Sequence, residues 1–174
     1  MTIAQKDHTW SLVLHAWAQK TPLRKKVFYW LARWAIWVLA FALLLWADAV
    51  GVDMLVFAFF VGVPLATSLF VSFAISAIVG RKRPFAQHGF DPAIGVRYLG
   101  SSFPSDHATC ATSLGLSAFF FSPTLGVLAI IGAICIAVAR VGVGVHYLSD
   151  IVAGALVAGC SLALLILLTA GPVG

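Results

Sequence analysis

The residues of this chain that can do chemistry are few, and they fall into three short clusters. The best defined is His146 with Asp150, spaced i and i+4 at the start of an apolar run. On one helical face the carboxylate can accept from one ring nitrogen, fix the tautomer and leave the other nitrogen as a nucleophile. Arg140 lies just upstream. The second cluster, Ser101-Ser102-Phe103-Pro104-Ser105-Asp106-His107, is a polar knot between apolar segments. Pro104 can pre-set the first turn of a helix there, with Ser105 and Asp106 available to its free amides. Such a helix end presents unpaired N–H groups and partial positive charge, which suits a phosphate. His107 beside it can serve as general acid for a leaving oxygen. The third cluster is Gly80-Arg81-Lys82-Arg83-Pro84-Phe85. Arg83 and Arg140 have the planar donors that grip phosphate oxygens in pairs.

Each cluster has a plainer explanation. The knot reads equally as a capped loop. The His146–Asp150 pair reads as a structural cap. Arginines beside apolar spans more often mark topology, and a lone His107 is more often a polar residue starting a helix. Zinc is the chemical rival, since two histidines and two aspartates can bind it. However, no HExxH or similar paired spacing occurs, and the nearby arginines would repel a cation. Metal-free phosphate chemistry fits this set better, and no cofactor is called for.

The elements that must position these groups are membrane helices. Of 174 residues, 61% are hydrophobic and only 10% charged. A soluble domain is nearer half apolar and a quarter charged. The formal net charge is +5, from 11 Lys and Arg against six acids, all of them Asp. Nucleic acid is a poor partner, because the basic residues form no long run and no binding motif. Topology and anionic lipid headgroups explain the excess better. Cys110, Cys135 and Cys160 each sit in an apolar stretch without a CxxC pair, which predicts small buried core residues.

The fold class expected is all-α: one domain over 1–174, a polytopic transmembrane bundle over 27–170 with about five to six spans. An interfacial amphipathic helix over 9–20 precedes it, with Trp10, Val13, Leu14 and Trp17 on one face. Pro22 ends that helix before the basic cluster Lys20, Arg24, Lys25 and Lys26. Spans are predicted over 27–49, 53–79, 106–121, 124–139 and 146–169. Pro64 predicts a kink in the second, or a break that makes it cross twice. Arg33 lies near the start of the first span, where it can snorkel. Gly142 and Gly144 are expected to loosen the backbone before His146. With five spans, all three polar clusters fall on one membrane face.

On these motifs the sequence resembles the type 2 phosphatidic acid phosphatase superfamily. That family carries Lys-x6-Arg-Pro, Pro-Ser-Gly-His and Ser-Arg-x5-His-x3-Asp. Here Arg83-Pro84 matches the end of the first, and Pro104-Ser105-Asp106-His107 the second, with Asp for Gly. Ala139-Arg140, His146 and Asp150 match the third, with Ala for Ser. Ser76 stands where the family has Lys. The Phe-Pro-Ser-Asp-His form and Arg-Pro-Phe ending are similar to the bacterial undecaprenyl-diphosphatase branch, which also tends to lack the lysine.

The resemblance implies a metal-independent lipid phosphatase. His146 would attack the terminal phosphorus, Asp150 would orient it, and His107 would protonate the leaving group and then activate water. Arg83, Ser105 and Arg140 would hold phosphoryl oxygens. Arg81 or Lys82 would replace the missing lysine. The substrate implied is a lipid diphosphate, foremost undecaprenyl diphosphate. Alternatives are phosphatidylglycerophosphate, phosphatidic acid, another polyprenyl-linked phosphate, or a non-catalytic lipid-binding role. The location implied is a bacterial inner membrane with the site at its outer face. The charge pattern disagrees: Lys6, Lys20, Arg24, Lys25 and Lys26 share the site's side under a five-span count, which the positive-inside rule assigns to the cytoplasm. A second stretch crossing twice would remove the conflict.

Overall fold

The computed structural model describes residues 2–95 and 100–170, and these are helical with short connections. Arg97, in the polar loop, and the 171–174 tail lie outside the described residues. The amphipathic segment is α1 (Ile3–Ala18), closed at its start by a Thr2–Gln5 capping box. Its polar side meets the bundle: Ser11 is buried, and Asp7, His8 and His15 are half-buried. Trp10, Val13 and Trp17 face outward. A helix that docks by its polar side and shows tryptophans to the exterior suits the membrane interface.

Thr21 caps α2 (Pro22–Arg33), with Pro22 in the first turn as its fixed φ favours. The predicted straight span over 27–49 is a bent pair instead. Helix α2 meets α3 (Ala35–Ala49) at 52°. No proline or glycine lies at the bend. Its cause is a side chain inserted into the ladder: Arg140 donates to the Ala32 carbonyl at 3.1 Å, taking the acceptor that the next helical turn would use.

The second stretch keeps one helical path. Helix α4 (Met54–Phe57) passes through a π-helical turn at Ala58–Gly62 into α5 (Val63–Val79). Pro64 explains that turn, because it lacks the N–H that would bond Phe60 four residues earlier. The stretch therefore does not cross twice, and the N-terminal helix stays on the side of the site. Gly80, at φ +58, ends α5. Beyond the short α6 (Pro84–His88) lie α7 (Asp106–Ala118), α8 (Pro123–Gly142) and α9 (Leu148–Thr169).

Three helical runs among the described residues are long and apolar enough to cross a membrane, or four if the bent pair counts as one. The expected five to six is too many by this measure. The shortfall is α7. Its 13 residues rise only about 20 Å against a hydrocarbon core of about 30 Å. Helix α7 is instead the centre of the bundle, packed against α5, α8 and α9. Ala108, Ala111, Gly115 and Ala118 let these neighbours approach. At Gly154 a side chain would meet the Ser105 carbonyl at 2.8 Å and Thr109 Oγ1 at 2.9 Å, so α7 and α9 touch by backbone. The cysteines correct another expectation: Cys135 and Cys160 are exposed and only Cys110 is half-buried.

Candidate active site

His146 lies in the connection between α8 and α9, one residue before Tyr147 opens the last helix. The glycines upstream tighten this connection rather than loosen it. Gly144 has φ +83, and a side chain there would strike the Phe90 ring at 2.6 Å. The His146 ring is 2% exposed. Its Nδ1 lies 2.8 Å from the Ser102 carbonyl. A carbonyl only accepts, so Nδ1 carries the proton and Nε2 keeps its lone pair. Asp150 was expected in that place, but its carboxylate stands 3.7 Å from Nδ1. The reason is local. Asp150 Oδ2 accepts from the Tyr147 N–H at 2.7 Å, as a third-position cap does, and also from the Ser102 hydroxyl. Asp150 thus holds Ser102, and Ser102 holds the ring. Burial pushes the His146 imidazole down to about 4, with Asp150 opposing and Arg140 and Arg83 assisting, so the ring is neutral at pH 7.

Nε2 faces a cavity of about 400 Å³. Arg83, Arg140, His107 and Asp106 line it with His146, and Arg33, Trp34 and Trp37 line it from the bend between α2 and α3. Three arginines thus meet one carboxylate among the described lining residues. Arg83 NH1 lies 3.3 Å from His146 Nε2, and its other donors reach the Gly100, Ser101 and Val145 carbonyls. Arg140 is 7% exposed, and its Nε has no hydrogen-bond partner among the described residues. An unpaired buried guanidinium N–H is costly, and an anion in the cavity would relieve it. Asp106 accepts from Ser72 at 2.8 Å.

The predicted site residues do not all converge. Arg83, Arg140, His107 and His146 share the cavity. Asp150 sits behind the ring, fully buried. Ser105, not Pro104, starts the helix: Pro104 lies outside α7, and Ser105 caps it by accepting from Ala108 N. Ser105 is buried and is not among the residues lining the cavity. Arg81 and Lys82 are not among them either; with Arg83 they border a separate hollow of about 460 Å³. Backbone 80–83 is non-helical, so Arg81 and Arg83 reach inward while Lys82 between them is exposed. Arg81 donates to Asp150 at 2.7 Å and to Asp7 at 2.8 Å, and its guanidinium lies 4.1 Å over the Tyr147 ring. It is spent on carboxylates.

Sequence reasoning missed Asp7, Ser11, Ser102 and the rim formed by Arg33, Trp34 and Trp37. Arg33 carried one signal, a charge inside an apolar run. Ser102 stood in the polar knot but its role did not show there, and the others carried no signal, since their partners are distant in the chain.

Residues 57–171 match the PAP2 superfamily, two thirds of the chain. The chain belongs to that superfamily. It is 31% identical over 94 residues to the bacitracin transport permease protein BcrC of Bacillus licheniformis, an alignment covering 49% of this chain and 46% of that protein. It is 36% identical over 102 residues to YbjG of Escherichia coli K12, provisionally named an undecaprenyl-diphosphatase, covering 55% and 48%. The alignments thus span about half the length of these curated relatives. The fold is similar to a PAP2-type phosphatidylglycerolphosphate phosphatase from Bacillus subtilis, with TM-score 0.53 at 18% identity, covering 100% of this chain and 98% of that one. This PAP2 chain has helices long and apolar enough to span a membrane, and the residues 83, 107, 140 and 146 of its motifs gather at one end of the bundle.

Proposed function

We propose that this chain is a metal-independent phosphatase of a polyprenyl diphosphate, foremost undecaprenyl diphosphate. The observation that carries the reading is the cavity at the bend between α2 and α3: a neutral His146 Nε2, His107 and the arginines 83 and 140 face one space whose rim holds Trp34 and Trp37. A diphosphate headgroup would sit among the arginines while its isoprenoid chain leaves past the tryptophans into lipid. Nε2 of His146 attacks the terminal phosphorus. The bond from that phosphorus to the bridging oxygen breaks, and His107, which takes up a proton as the anionic headgroup enters beside it, gives that proton to the departing lipid phosphate. Water then attacks the phosphohistidine, with His107 taking its proton, and inorganic phosphate leaves. Arg83 and Arg140 stabilise the charge on the transferring oxygens throughout. Ser105 supports this from behind as the cap of α7. The name of one relative, YbjG, favours the diphosphate, while the structural neighbour that acts on a glycerophospholipid is similar at only 18% identity and bears on the fold alone.

The test is phosphate release by purified protein in excess EDTA, from undecaprenyl diphosphate, phosphatidylglycerophosphate and phosphatidic acid in parallel. Preference for the diphosphate supports the reading. Preference for either other lipid replaces the substrate, loss of release in EDTA overturns the metal-free chemistry, and no release from any lipid favours a binding protein. We further place the protein in the bacterial inner membrane with the site outward. A cysteine at Gly95, where a side chain meets nothing within 4 Å, should label from outside intact cells once Cys110, Cys135 and Cys160 are replaced by alanine. Labelling only after lysis puts the site in the cytoplasm, where the basic flank of α1 and α2 would have it.

A further inference from the structure

Helix α1 does more at this end of the molecule than lie on the membrane. The first N–H groups of any helix lack partners within it. At the start of α9, Tyr147 N is met by Asp150, but Leu148 N is met by Ser11 Oγ at 2.9 Å and Ser149 N by Asp7 Oδ1 at 2.9 Å. Two of these three caps come from α1. Asp7 Oδ2 also accepts from Ser149 Oγ at 2.6 Å and from Arg81 at 2.8 Å. Arg81 in turn donates to Asp150 Oδ1 at 2.7 Å. From Asp150 the path runs through the Ser102 hydroxyl to the Ser102 carbonyl and so to His146 Nδ1. Asp7 therefore stands at the far end of an unbroken polar chain that ends on the nucleophile's ring.

An aspartate whose side chain is 11% exposed is not needed to keep an interfacial helix wet. Ser11, His15 and Gln19 already fasten that helix to α8 and α9. We propose that Asp7 is a positioning residue for the reaction, holding Arg81 against Asp150 so that Ser102 and His146 keep their orientation. This rests on the reading of His146 as nucleophile. Without Asp7, Arg81 keeps one carboxylate instead of two, Ser149 N loses its cap, and the support behind the ring loosens. Substrate binding in the cavity, on the other side of the ring, is untouched.

The experiment compares Asp7→Asn with the full-length parent on undecaprenyl diphosphate. The expected result is a fall in kcat of about tenfold or more, as for groups that orient a reacting side chain, with KM within about twofold. Asp7→Glu should restore part of the kcat. Asp7→Asn with Arg81→Gln should be no slower than Arg81→Gln alone, because both cut the same path. Gln19→Ala, which removes a docking bond of α1 away from Arg81, should keep the parent's kcat. Parental kcat in Asp7→Asn, an equal loss in Gln19→Ala, or additive losses in the double variant would each overturn the proposal. If Asp7→Asn does not fold, Ser149→Ala reads the same arm, and an unchanged kcat there counts against it. His146→Ala separates the two levels: retained activity sinks the nucleophile reading, whereas a dead His146→Ala beside a parental Asp7→Asn sinks only this proposal.

Discussion

Arg140 and Arg81 are both drawn toward the α8–α9 connection, yet they have opposite circumstances. Arg81 is well matched: Asp7, Asp150 and Ser149 take three of its donors, and Tyr147 lies beneath its plane. Arg140 is buried with one backbone partner and an Nε that has none among the described residues. Behind His146, charge is matched by charge. In front of it, three arginines face the same cavity as one carboxylate among the described lining residues. A matched cluster fixes geometry, and a buried guanidinium such as that of Arg140, whose Nε has no partner among the described residues, suits an anion. On the proposed function, the position of an arginine relative to the His146 ring, more than its place in a motif, would separate scaffold from substrate contact.

The contrast can be broken from either side. Arg140→Gln should cost the most activity, about 10²-fold or more in kcat/KM, since it removes charge from the developing transition state. Its thermal stability should change little, because loss of the one bond to the Ala32 carbonyl is offset by exchanging a buried, under-partnered cation for a neutral amide. A matching fall in stability would show that Arg140 is scaffold as well. Arg81→Gln should reverse the balance. It leaves Asp7 and Asp150 without their shared cation, and detergent-solubilised protein should lose about 1–3 kcal/mol of stability, together with some kcat. Unchanged melting would make the Arg81 cluster dispensable.

Gly154→Ala tests the seam between the two regions. The new methyl would press on Ser105 and Thr109 and push α7, which carries His107, away from α9, at a cost of about 1–3 kcal/mol. Full stability and activity would mean the seam has slack. The smallest effect is one of pH. Burial acts to raise the Asp7 carboxyl, but hydrogen bonds from Arg81 and Ser149 outweigh it and hold it below its ordinary 3.8. A depressed carboxyl contributes stability that is present above its unfolded value and is lost as pH falls through the folded one. Amide exchange at Ser149 should therefore stay slow at pH 5 and accelerate only below about 3.8. Acceleration already between pH 6 and 5 would contradict that account.

Much of this was legible in the sequence, and the parts that were not share a cause. Motifs read along the chain place Arg83, His107, Arg140 and His146 together, because the helices between them return each cluster to the same end of the bundle. His146 and Asp150 are local, so their neighbourhood is readable, though not the intervening Ser102. Arg81 read as a phosphate ligand because its true partner, Asp7, lies 74 residues away. The bend at Trp34 was invisible because the chain around it has neither proline nor glycine, and its cause, Arg140, comes 108 residues after Ala32. Helix α7 read as a span because its apolar run continues through Phe119, Phe120 and Phe121. The helix itself stops at Ala118, and its small side chains serve packing rather than lipid contact.

The most direct test of the central claim is to trap the intermediate. Protein mixed with terminally labelled undecaprenyl diphosphate in EDTA, then quenched in alkali to preserve phosphohistidine, should carry label on a single peptide containing His146. The label should vanish in His146→Ala and accumulate in His107→Ala if the second step slows more than the first. Label on His107, or full turnover with no labelled peptide at any quench time, would contradict the account.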